Sequence, residues 1–82
     1  MINEVDFNLL GLDHKAHLVF QKQNFVTSRA IEGFEISLYS LGSLLIEVWF
    51  SPVANEIQKI ETAAYSDLAL YVKHLDFEEL FE

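Results

Sequence analysis

Few residues have the type and spacing to do chemistry. Asp13, His14 and His17 form a D-H-x-x-H cluster, and residues three apart share a helix face, so the two imidazoles could reach one metal ion. Spacing identifies no third ligand, and His74 lies far along the chain, which predicts solvated histidines and no metal. Glu47 stands within "SLGSLLIEVWFSP", residues 40 to 52, the most apolar run in the chain. If buried alone, its carboxyl would titrate high and could serve as a general acid or base. Two blander readings are that strand alternation turns it toward water, or that it pairs across strands with Arg29 or a lysine. Glu78 and Glu79, with Asp76 and Glu82, are read as solvated acids at a helix end, without the cleft that general acid–base work needs. There is no glycine-rich phosphate loop, no G-x-S-x-G and no Ser–His–Asp grouping with local context. The absence of cysteine excludes thiolate zinc sites, disulfides and cysteine nucleophiles. The sequence therefore predicts a protein that is not an enzyme and needs no cofactor.

The elements that must position these residues follow from periodicity. Leu12, Ala16, Val19 and Phe20 lie at i, i+4, i+7 and i+8, which predicts a helix over 13–24, with Asp13 at its start and Lys22 and Asn24 at its end. From Phe25 the chain is rich in β-branched and aromatic residues and is cut at Gly33 and Gly42, predicting strands at 25–32, 34–41 and 44–51. Pro52 and Asn55 mark a loop, and residues 57 to 62 read as a short edge strand whose lysine and glutamates discourage pairing with other chains. Helical spacing returns at Leu68, Val72 and Leu75, with Tyr71 beside them and Ser66 as the expected N-cap. Asp76 can cap a last turn that buries Phe77 or Leu80, or both; alternatively Phe77, Leu80 and Phe81 present themselves as a peptide to a groove in a partner. The fold expected is α+β: an antiparallel meander of three to four strands with an N-terminal and a C-terminal helix, in the order α-β-β-β-β-α, both helices covering mainly one apolar face.

Register decides where Glu47 points. A plain two-residue turn at Gly42-Ser43 sets Leu41 opposite Leu44 and Leu38 opposite Glu47, mixing polar and apolar groups on both faces. A loop longer or shorter by one residue sets Leu38 opposite Ile46 and Ile36 opposite Val48, giving one apolar face and one face of Glu35, Ser37, Tyr39, Leu45, Glu47 and Trp49. Burying an unpaired carboxylate costs several kcal/mol and a less favoured turn about one or two, so the second register is expected, with Glu47 outward. Tyr39, Leu45, Glu47 and Trp49 then become the candidate protein-binding residues, since aromatic groups beside charges are what interface cores use.

The chain of 82 residues is too short for two cores, so residues 1–82 form a single domain, and its 51% apolar content is enough for one core. Thirteen acids against five bases give a net charge of −8, which repels phosphate backbones and anionic lipid and favours a basic protein partner. The N-terminus lacks the charge and length of a secretory signal, and the longest apolar run is far below the roughly 20 residues that span a bilayer, so a cytoplasmic protein without membrane or nucleic-acid contact is expected. Residues 41–50, "LGSLLIEVWF", followed by "NEI" at 55–57 and a Leu/Tyr-rich last helix, resemble short uncharacterised bacterial proteins with an LGxxxxEVW(F/Y) hairpin. That resemblance implies a bacterial origin and a helix–four-strand–helix order, and it carries no activity and no site residue. The function expected is a small acidic protein-binding or adaptor protein, its partner either another protein or a second copy in a homodimer. A charge-steered form of this is a protein that neutralises a basic toxin. The alternative is a small-ligand-binding or catalytic pocket between sheet and helices that uses Glu47.

Overall fold

The computed structural model describes residues 2–21 and 24–74. Its elements are α1 (Glu4–Asn8), α2 (Leu12–Val19), β1 (Phe25–Ile31), β2 (Phe34–Leu41), β3 (Leu44–Ser51), β4 (Glu56–Ala63) and a 3-10 helix over Tyr65–His74. The strands pair antiparallel in the order β1-β2-β3-β4, an α+β meander with β1 and β4 at its edges. Gly33 and Gly42 take φ of 83° and 61° in the two tight turns, and Asn55 takes 57° in the β3–β4 loop; these are left-handed values that such residues adopt at least cost. Among the described residues no helix is long and apolar enough to cross a membrane.

The helices differ from expectation in detail. The short α1 was not legible as a helix, because five residues show no periodicity; it is held by the Asn3 side chain, which accepts from the Asp6 N–H at 2.8 Å, and by Phe7, which is fully buried. α2 starts one residue early, with Gly11 rather than Asp13 at its N-cap, and stops at Val19 rather than Asn24, where Phe20 leaves helical geometry. Lys22 lies outside the described residues, as do Leu75, Asp76, Phe77, Glu78, Glu79, Leu80, Phe81 and Glu82. The C-terminal element is a 3-10 helix, and Ser66 is not its cap. Asp67 and Ala64 cap it reciprocally instead: the Ala64 N–H donates to Asp67 Oδ2 at 3.0 Å, and the Asp67 N–H to the Ala64 carbonyl at 2.9 Å.

The expected register is overturned. Leu41 pairs with Leu44, Leu38 with Glu47 and Ile36 with Trp49, the arrangement of a plain two-residue turn. Glu47 therefore shares a face with Leu38, Ile36 and Leu45, while Tyr39 shares the other with Ile46 and Val48. The expectation failed because it assumed a sheet with one wet face. Here both faces are covered: Phe7 and Val19 of the N-terminal helices pack on Ile46, Val48 and Ile60, and Tyr71 of the 3-10 helix packs on Leu38 and Leu45. With two cores, apolar residues on both faces are needed, and nothing opposes the turn that Gly42 favours. The two terminal helical segments thus lie on opposite faces, not on one.

Phe7 joins α1 to the larger core. Phe7→Ala is expected to destabilise the fold by about 3–5 kcal/mol, and Val5→Ala, at an exposed position of the same turn, by under about 0.5, as urea melts will measure.

Candidate functional site

Glu47 is 6% exposed, the one buried charged side chain among the described residues. β3 carries it onto the face beneath the 3-10 helix, whose Tyr71 hydroxyl donates to Glu47 Oε2 at 2.7 Å. The guanidinium of Arg29, reaching over β2 from β1, approaches the same oxygen at 3.5 Å and stacks on the Tyr71 ring with 5.0 Å from its central carbon to the ring centroid. The side chains of Arg29 and Glu47 are 11% and 8% exposed, so the pair is screened little by solvent. Of the two contacts the short Tyr71 bond is the better formed; the Arg29 contact is a loose ion pair at the limit of hydrogen-bond length.

Burial, and then the bond to the Glu47 carboxylate, push the Tyr71 hydroxyl above the usual tyrosine range, with Arg29 opposing. Tyr71 is thus fixed as a proton donor at physiological pH, which suits it to hold a carboxylate and not to act as a base. Two donors nearby lack partners: Arg29 Nε and Trp49 Nε1 are buried without a hydrogen bond. The Trp49 indole is held edge-on by Phe34 at 5.4 Å and by the Lys59 ammonium 4.2 Å from its ring centroid.

The four residues singled out for protein binding do not form one surface. Leu45 and Glu47 are buried under Tyr71, Trp49 lies two residues further along that face, and Tyr39 is on the opposite face between Phe20 and Phe25, both edge-to-face at 5.6 Å. Tyr39, Phe20, Gln21 and Phe25 line an open cavity of about 400 Å³. A second, of similar volume, lies between Glu4, the β2–β3 turn and the end of β4; Glu47 lines neither. His14 and His17 are exposed on α2, and among the described residues no three His, Asp or Glu side chains gather as metal ligands would.

What sequence reasoning missed is the exposed apolar ground at β1. Phe25 is 50% and Val26 49% exposed, with Phe20 and Ile31 also open. The available signal was a strand, "FVTSRAI", with a single charged residue, where an edge strand would be expected to carry several. No family model, curated protein or solved structure matches the chain.

The network has a signature in pH and in mutants. A tyrosine whose folded-state pKa is raised adds stability that is complete below its unfolded value near 10 and is lost as pH rises from there toward the folded value. Tyr71→Phe should cost about 1.5–3 kcal/mol at pH 7 and flatten the fall in stability above pH 10, as urea melts of both proteins across that range will show. If the pair is structural, Glu47→Leu alone should cost about 3–5 kcal/mol by stranding Arg29, whereas Arg29→Met with Glu47→Leu should come within about 1–2 kcal/mol of the wild type.

Proposed function

We propose that this is a non-catalytic protein-binding or adaptor protein whose contact region is the free edge of β1 with its flank of Phe20, Phe25 and Val26. The observation that carries this reading is the exposure of large apolar side chains along a sheet edge to which nothing bonds among the described residues, where an extended segment of another chain can add main-chain hydrogen bonds and fill side-chain pockets. A cytoplasmic setting, in a bacterium, goes with the reading, and the charge of −8 favours a neutral or basic partner over nucleic acid or anionic lipid. Neutralisation of a basic toxin is its narrowest form.

A ligand or catalytic pocket at Glu47 is the second reading, favoured by the burial of its carboxylate beside two unpartnered donors. Against it, both contacts of Glu47 fall on one oxygen and come from the protein itself, and no described cavity opens onto it. Such a site would require the 3-10 helix to lift.

The test uses Val26→Lys, which places a solvated charge on the edge without entering either core. Proteins captured from the source cells by the wild type, once identified and purified, should bind Val26→Lys at least about 10-fold more weakly, with the melting temperature unchanged. Equal affinity for both would refute a contact at β1.

A further inference from the structure

We infer that the chain forms a two-fold dimer in which β1 pairs antiparallel with β1 of a second copy, Ser28 of each opposite Ala30 of the other, joining two four-stranded sheets into one; this rests on the protein-binding reading above and names its partner.

The two edges of the sheet are treated differently. On β4 two of the outward backbone groups are taken: Lys15 Nζ donates to the Ile60 carbonyl at 2.8 Å, and the Thr62 N–H donates to Asn8 Oδ1 at 3.3 Å. Asn8 Nδ2 and Glu4 Oε1 fix the Thr62 hydroxyl as well, at 2.9 and 3.1 Å. β4 also carries the solvated Lys59–Glu61 pair. Both helices therefore spend side chains on closing one edge.

Among the described residues β1 has no such cover. Ile31 and Phe34 flank the two-residue turn Glu32-Gly33, and a pair in that position exchanges its backbone bonds within the hairpin. Alternation then turns the N–H and C=O of Ala30 and Ser28 outward, and among the described residues nothing bonds to them. A bulge between Phe25 and Thr27 interrupts the ladder beyond, so the regular stretch centres on Arg29. Pairing about that point joins Ser28 to Ala30 twice, for about four backbone hydrogen bonds.

Charge permits a second copy at this edge. No acid occurs between Asp13 and Glu32, and the single charge on β1, Arg29, is turned under the 3-10 helix onto Glu47. In this register Arg29 stands opposite Arg29 of the second copy, but each guanidinium is drawn inward to its own Glu47, so two chains of −8 meet at β1 without unpaired like charges. Closure follows too. A two-fold β1 pairing leaves only β4 edges outside, where Lys15 and Asn8 occupy the Ile60 carbonyl and the Thr62 N–H, so the assembly ends at two chains.

Sedimentation equilibrium from about 1 to 300 μM, with amide hydrogen exchange, decides the matter. The wild type is expected to reach the mass of two 9.4 kDa chains, with the Ser28 and Ala30 amides slowing as the concentration rises. Ala30→Pro deletes an N–H that the single chain does not use, and proline is tolerated on an edge; it should weaken association about 30-fold or more, while the far-UV spectrum stays unchanged. A single-chain mass throughout overturns the inference, as does a dimer in which both amides exchange freely, a result that needs no variant to fold. A monomeric wild type whose purified partner still discriminates against Val26→Lys overturns the dimer and leaves the binding reading in place. A monomer without that discrimination overturns both.

Discussion

The structure depends on a sheet that must be covered on both faces. Four strands of seven or eight residues present two surfaces, and only the short α1 and α2 and one 3-10 helix are described to close them. The N-terminal pair takes the larger core through Phe7 and Val19, while on the other face, among the described residues, Tyr71 lies over Leu38 and Leu45. A 3-10 helix of ten residues is longer than this weakly bonded conformation usually runs. It is held from outside: Asp67 and Ala64 cap it, the Tyr65 hydroxyl donates to the Ser43 carbonyl at 2.6 Å, and Tyr71 reaches Glu47. The buried carboxylate is therefore an anchor point, and an apolar residue in its place would leave the tyrosine hydroxyl without an acceptor.

Such an anchor is costly. Taking a carboxylate and a guanidinium out of water costs several kcal/mol per ion, and a contact of 3.5 Å returns only part of it. The bond from Tyr71 and the stacking of Arg29 on its ring supply the remainder, which makes the three residues one unit. Position is what the unit confers: the bond from Tyr71 to Glu47 fixes where the 3-10 helix crosses the sheet.

Strand content was legible because β-branched and aromatic runs broken by two glycines leave little choice, and all four strands fall within a residue or two of the expected bounds. The meander order followed from tight turns. Register was not legible, because the decision rested on the price of an unpaired acid, and whether Glu47 is paired depends on Tyr71, 24 residues away and on another element. Pairing with Arg29 was readable as an option from charge alone; the tyrosine was not. The grouping of Tyr39 with Trp49 fell with the register, since a shift of one residue exchanges the faces of an entire strand. α1 escaped notice for a different reason, having a cap and one buried aromatic but no second turn to show a period.

Burying Arg29 has a consequence at the surface. Edge strands commonly protect themselves with charges that face water, and β1 holds only this one. Had it remained solvated, each approaching strand would have met a cation at the middle of the regular stretch. Drawn inward by Glu47, it leaves a neutral strand edge flanked by Phe25 and Val26, while the acids of the chain lie on other segments. The interaction that seats the 3-10 helix is thus the same one that strips β1 of its defence, and stability of the second core and openness of the first edge come from a single pair of charges.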